Sequence, residues 1–356
     1  MQRHPHAGRL RGLWFWVALG ALVGGVAGAV ITLAFWSTPD ITAAACTASS
    51  VAGQVVPSVV TIEVGRTSAG APSTGSGEFY QEGGYILTNN HVVSNAASGA
   101  SIEVMLSDGQ RAPATLVGRD PLTDLAVIKA PQAQSPQIIA LGSSADLEVG
   151  QPVVVVGAPL GLSNTVTSGI VSALARTIEV PGGGSSPNAL LADAIQTDAA
   201  INPGNSGGAL VNCGGQMVGV PTAGAAVPGT NGGNIGLGFA IPVDIAEVVA
   251  NQLIATGHVT HASFGLETTA VTGPISQRTG LPQGLFVTSV QTGGPAAMAG
   301  LRSGDVITQI DGQAATAPEQ LVELTITKRA GDRVTLTYVR AGQTHEATVT
   351  LGSQSS

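Results

Sequence analysis

Asn202-Pro203-Gly204-Asn205-Ser206-Gly207-Gly208 is the stretch that decides how this chain is read. A serine sits inside a glycine-rich turn, with a strand-like run, Ala209-Leu210-Val211, directly after it. Glycines let the backbone bend until two N–H groups point at one oxygen. A nucleophilic serine with an oxyanion hole needs that arrangement. Upstream lie Thr88-Asn89-Asn90-His91-Val92-Val93 and Asp120-Pro121-Leu122-Thr123-Asp124-Leu125-Ala126-Val127. Together they supply a base, an orienting acid and a nucleophile in the order His, Asp, Ser. Each motif alone fits an ordinary turn, cap or strand entry, but their conjunction does not. The histidines fall at 4, 6, 91, 258, 261 and 345, so His91 alone occupies the long middle segment.

The order His, Asp, Ser is that of chymotrypsin-like double barrels. Longer matches join it: Thr165-Val166-Thr167-Ser168-Gly169-Ile170-Val171-Ser172, Ile195 through Gly208, and Ala299-Gly300-Leu301-Arg302-Ser303-Gly304-Asp305-Val306-Ile307. Over roughly residues 54–352 the chain resembles the HtrA (Deg) family of serine proteases with C-terminal PDZ domains. The resemblance implies a mainly β fold: a chymotrypsin-like double six-stranded β-barrel at 54–257, then one PDZ domain at 262–352. It implies His91, Asp124 and Ser206 as the catalytic triad, and Gly204, Asn205 and Ser206 as the oxyanion hole. Also implied are a homotrimer, unfolded or regulatory extracytoplasmic proteins as substrates, C-terminal peptides as PDZ ligands, and no cofactor. The alternative reading is a PDZ-based chaperone or adaptor with little proteolysis.

Composition agrees with a β-rich protein of two domains. The chain has 356 residues, 10% charged, 3% aromatic, with 49 glycines for tight turns. A net charge of −8 argues against nucleic acid. No Cys/His cluster has metal-ligand spacing, so no metal site is expected. Cys46 and Cys213 fit one disulfide or two free thiols.

Residues 1–12 carry Arg3, Arg9 and Arg11, and residues 13–36 carry no charge. As a helix of about 36 Å that run spans a hydrocarbon core of about 30 Å. Trp14, Trp16 and Trp36 lie near its ends. The apolar region of a cleaved signal is only about 7–15 residues, so this reads as a transmembrane anchor. The positive-inside rule then leaves the N-terminus cytoplasmic and the remainder outside the cell membrane. Gly20, Gly24 and Gly28 repeat every four residues, a spacing that lets membrane helices approach closely.

Residues 37–53 read as a linker. Strands are expected at 55–64, 85–88, 102–106, 114–117 and 125–129 for a first barrel. A second takes 151–157, 166–173, 192–197, 209–211, 216–220 and 236–241. Residues 243–256 have helical spacing and close the domain. Segments 66–77, 181–188 and 223–234, rich in Gly, Ala, Ser and Pro, read as loops, and the resemblance places them beside the active site. In the last domain, strands are expected at 285–290, 305–310, 333–339 and 346–351, with a helix at 318–327.

Asn205 is uncharged, where digestive relatives place an Asp that pairs with a new N-terminus. That activation route is absent, and loop ordering is the expected control. Ala200, six before the serine, stands where trypsin-like enzymes carry an acid. With Ile201, Leu237 and Phe239 it predicts a pocket for small or medium apolar side chains. Substrate is expected to add as a strand along residues 222–225. Ser263-Phe264-Gly265-Leu266 falls at the family's carboxylate-binding loop, which places peptide binding on the amides of Phe264, Gly265 and Leu266.

Overall fold

Runs of β-branched residues with apolar side chains on alternate positions build the first of two barrels. The computed structural model describes residues 46–66, 71–133, 137–158, 165–181, 188–222 and 234–355. The strands of this barrel are β1 (Val59–Val64), β2 (Ser73–Gln81), β3 (Tyr85–Asn89), β4 (Ile102–Met105), β5 (Arg111–Asp120) and β6 (Leu125–Lys129). They close antiparallel in the order β1-β2-β3-β6-β5-β4. Ile62, Phe79, Ile86, Val104 and Ile128 fill its interior.

The second barrel joins β7 (Pro152–Gly157), β8 (Thr165–Val180), β9 (Ala189–Thr197), β10 (Ala209–Val211), β11 (Met217–Thr222) and β12 (Gly238–Pro242). It closes in the order β10-β11-β12-β9-β8-β7. Its strand β7 is apolar on both faces. Val153 and Val155 fill the barrel with Ile195, Leu210 and Val218. Val154 and Val156 pack the other way, against Leu87 and Leu125 of the first barrel. A period of two along one strand thus supplies both the barrel interior and the layer between barrels. The helix Val243–Thr256 seals that layer with Val249 and Leu253 and ends at Gly257 in the left-handed conformation.

Two expectations are corrected. Residues 48–53 are not tether: they belong to helix α1 (Ala48–Val55), capped by the Thr47 hydroxyl, with Val51 and Val55 in the core. Residues 73–77 are not loop: they form the first half of β2. Small residues hid that strand from its hydrophobic pattern, and packing requires them. A Cβ on Gly77 would stand 2.6 Å from Ile86 Cγ2 and 2.8 Å from Ile62 Cδ1. Both cysteines are disulfide-bonded, which resolves the open thiol question. The expected span at 13–36 lies outside the described residues, among which no helix is long and apolar enough to cross a membrane.

The last domain holds β13 (Thr260–Ser263), β14 (Leu266–Val271), β15 (Gly284–Val290), β16 (Val306–Ile310), β17 (Gln313–Ala314), β18 (Arg333–Arg340), β19 (Gln343–Thr350) and β20 (Gly352–Ser355). One sheet runs β14-β15-β16-β18-β19, β17 pairs with β16, and β13 pairs with β20. Leu285, Val287, Ile307, Leu336 and Val349 form the core with Leu321 of the helix Glu319–Thr327. Four of its strands were expected from sequence. Edge strand β14, of alternating exposure, and the short polar β13, β17 and β20 were not.

Polar contacts link the last domain to the barrels. His261 Nε2 lies 2.8 Å from Asp120 Oδ2, both side chains buried. The Thr177 hydroxyl, on β8, donates to Glu323 at 2.7 Å.

Candidate active site

The register of two neighbouring strands brings His91 beside Asp124. Asn89 of β3 pairs with Leu125 of β6, so the turn leaving β3 meets the turn entering β6. Asp124 ends a tight turn with φ +57, the left-handed region that residues other than Gly seldom adopt. Hydrogen bonds hold it there. Its carbonyl accepts from the Asn90 N–H and the Asn89 side-chain amide, both at 2.9 Å. Its carboxylate is buried and grips His91 twice. Oδ1 accepts the His91 backbone N–H at 2.9 Å, and Oδ2 lies 2.7 Å from the ring Nδ1. The Thr222 hydroxyl adds a third bond to the carboxylate, on Oδ2 at 3.1 Å. A buried carboxylate is an acceptor, so the ring nitrogen facing it carries the proton and Nε2 is left free to accept.

The end of β11 ties this pair to the serine loop. Next to Thr222, the Pro221 carbonyl accepts the Gly207 N–H at 2.9 Å. The loop itself is a turn closed by Asn205 N–H to Asn202 O at 3.0 Å, with Gly204 at φ +99 and Gly207 at φ +80. The third position of such a turn demands a positive φ, which glycine alone adopts freely. This corrects one expectation: the Asn205 N–H closes the turn and is not available to a substrate oxygen. Among the described residues the Gly204 and Ser206 amides have no backbone acceptor.

The Asn205 side chain is fully buried. Its amide donates to Ala200 O at 3.3 Å, and its oxygen has no partner among the described residues. A carboxylate there would be a buried charge without a counter-ion, and asparagine avoids that cost.

The expected pocket residues separate. Ile201 is buried and faces Gly238, where a Cβ would approach Ile201 Cδ1 to 2.7 Å. Phe239, one position along β12, turns into the layer between the barrels. Leu237 is 40% exposed. Ile201 packs against Gly238, while Ala200 contributes its carbonyl to Thr167 and Asn205. Thr222 ends β11, while residues 223–225 of the expected substrate strand lie outside the described residues.

Sequence reasoning passed over Thr222 as a carboxylate partner, and it passed over Ser76 entirely. The Ser76 N–H donates to Ser206 O and its hydroxyl to Gly204 O. The flanking Gly75 and Gly77 were the available signal.

In the last domain a cavity of about 650 Å³ opens between β14 and the helix Glu319–Thr327. Phe264, Gly265 and Leu266 line it with Leu321, Val322 and Thr325. Gly265 has φ +67, and its N–H is accepted by the Ser263 hydroxyl at 3.2 Å. Ser263 thus touches one of the three expected amides. Leu122, two residues before Asp124, also lines the cavity.

Comparison with known proteins matches residues 75–220 to a trypsin-like peptidase domain and residues 262–351 to a PDZ domain. The chain is 44% identical over 315 residues to serine protease PepD of Mycobacterium tuberculosis, covering 85% of this chain and 65% of that protein. It is 41% identical to a probable periplasmic serine endoprotease DegP-like of Halomonas elongata, covering 79% of this chain and 56% of that one. It therefore spans a little over half to about two thirds of the length of these curated relatives. The solved structure of the HtrA-type protease AlgW with a decapeptide superposes with a TM-score of 0.66 at 34% identity, covering 86% of this chain and 99% of that one. A serine endoprotease from Yersinia pestis superposes with a TM-score of 0.61 at 32% identity, covering 86% of this chain and 98% of that one.

Proposed function

The chain belongs to the HtrA-type serine proteases, and on that premise we propose that it is an endopeptidase working through an acyl-enzyme. The observation that carries the reading is the double grip of the Asp124 carboxylate on His91, at 2.9 and 2.7 Å. That grip selects the tautomer with Nε2 unprotonated. Nε2 takes the Ser206 hydroxyl proton as Oγ attacks a peptide carbonyl, then gives it to the leaving amine. Water, activated by the same nitrogen, hydrolyses the ester. The Gly204 and Ser206 amides receive the developing oxyanion. Ile201 against Gly238 closes the base of the substrate pocket, which favours small apolar side chains.

The substrates are unfolded or regulatory proteins outside the cytoplasm, reached from an anchor at residues 13–36. The cavity between β14 and the helix Glu319–Thr327 accepts the C-terminus of a peptide as an added strand, and occupancy biases the ordering of the active-site loops. The working assembly is a homotrimer. In the protease test, Ser206→Ala abolishes casein cleavage and keeps the cooperative melt of the unaltered chain; undiminished cleavage overturns the reading. For topology, a reporter fused after Ser356 reads as exported, and a cytoplasmic readout contradicts the anchor's orientation.

A further inference from the structure

Gly75-Ser76-Gly77 lies within β2 against the serine loop, and its central residue uses every polar atom it has. The Ser76 N–H donates to Ser206 O at 2.9 Å. Its hydroxyl donates to Gly204 O at 2.6 Å and accepts the Ala158 N–H at 2.7 Å. Its carbonyl accepts the Thr88 hydroxyl at 2.6 Å. The side chain is fully buried. The glycine before it permits the approach: a Cβ on Gly75 would stand 2.7 Å from Val92 Cγ1 and 3.2 Å from Ser206 O.

The two carbonyls that Ser76 fixes belong to Gly204 and Ser206, whose own N–H groups have no backbone acceptor among the described residues. Gly204 has no Cβ, so sterics give it no preference between the two signs of φ. Something outside the residue must choose. The turn bond from the Asn205 N–H and the Ser76 bond to the Gly204 carbonyl both hold the peptide unit between Gly204 and Asn205, next to the unit that carries the Gly204 N–H. The Ala158 N–H occupies a lone pair of that hydroxyl, which directs its single proton to Gly204.

We propose that Ser76 is a positioning residue for the oxyanion hole: it aims the Gly204 and Ser206 amides without touching substrate. The proposal rests on the protease reading above. It follows that losing the hydroxyl lowers turnover at the chemical step and leaves substrate binding nearly intact. The amides matter where charge develops, and less in the ground state.

The test is made on the full chain with a short chromogenic peptide, with active sites counted by a fluorophosphonate and folding followed by the melting transition. Ser76→Ala is expected to lower kcat per titrated site by about 10–100-fold, with KM changed less than about twofold. Ser76→Cys keeps a group at the position, slightly larger than the hydroxyl and a weaker donor, and its kcat is expected between the two. Should Ser76→Ala fail to melt cooperatively, Ser76→Cys decides: reduced kcat at unchanged KM supports the proposal. Unaltered kcat in a folded variant overturns it. So does a loss confined to the number of titratable sites, because that marks a folding role only. Absence of Ser206-dependent hydrolysis in the unaltered chain is a separate outcome, which removes the protease reading and this inference with it.

Discussion

Two fully buried carboxylates of the first barrel, Asp124 and Glu78, are treated in opposite ways. Asp124 is met by a backbone N–H, a ring nitrogen and a hydroxyl. Replacing it with asparagine keeps the shape and offers the ring an N–H where it needs an acceptor. Asp124→Asn is expected to lower kcat about 10⁴-fold with little change in the melt; a loss under tenfold would contradict the assigned tautomer. Both oxygens of Glu78 are without a partner among the described residues. Burial pushes its carboxyl well above the ordinary glutamate range, so the folded chain holds it protonated. The unfolded chain ionises it near pH 4.3. The fold is therefore unpenalised below that value, and stability falls as pH rises from it toward the raised folded value. Glu78→Gln is expected to flatten this dependence in denaturant titrations between pH 4 and 8. Glu78→Leu removes the buried polar group and is expected to gain about 1–3 kcal/mol at neutral pH. Equal pH slopes in the unaltered chain and Glu78→Gln would show that Glu78 is not the group responsible.

At the scale of elements, the serine loop works only as a piece set between β2 and β11. Gly207, at φ +80, lies with its Cα against the Ser76 carbonyl and the Thr88 hydroxyl, leaving no room for a Cβ. Gly207→Ala is expected to cut activity by at least 100-fold and to lower the melting temperature; near-normal activity would mean the loop adapts more than its packing allows. This loop was legible in sequence because its chemistry is local: a serine, glycines at the positive-φ positions and an apolar strand after them. His91 and Asp124 were legible for the same reason, and the alternating runs marked most barrel strands. Ser76 was not, because its partners lie far along the chain and its strand is too small and polar to show a hydrophobic period. The helix Ala48–Val55 was missed because only Val51 and Val55 mark its buried face. The face that Phe239 presents was not legible, because sequence gives distance along β12 but not the side of the strand. The role of the Asn205 N–H depends on a turn hydrogen bond that residue types alone do not reveal.

At the scale of the whole molecule, the peptide cavity and the triad are joined by one short turn. Asp120 accepts from His261 of the last domain and from Thr123, the residue before Asp124. Between them Leu122 lines the cavity, and its carbonyl accepts the Leu190 N–H at 2.9 Å. On the proposed reading, an occupant that shifts β13 is expected to act on the turn that holds Asp124. His261→Ala leaves the buried Asp120 carboxylate, among the described residues, with the Thr123 hydroxyl alone. It is expected to split the melt into two transitions and to reduce the rate response to free C-terminal peptides, typically about 5–150-fold in coupled systems. A single transition with an unchanged response would place the coupling elsewhere. The central claim is that Ser206, activated by His91 and Asp124, is the nucleophile. The direct measurement is to react the full chain with a fluorophosphonate, digest it and locate the adduct by mass spectrometry. The account predicts one adduct, on Ser206, formed far more slowly in Asp124→Asn. An adduct on another serine, or labelling of Ser206 at the same rate in both chains, would contradict it.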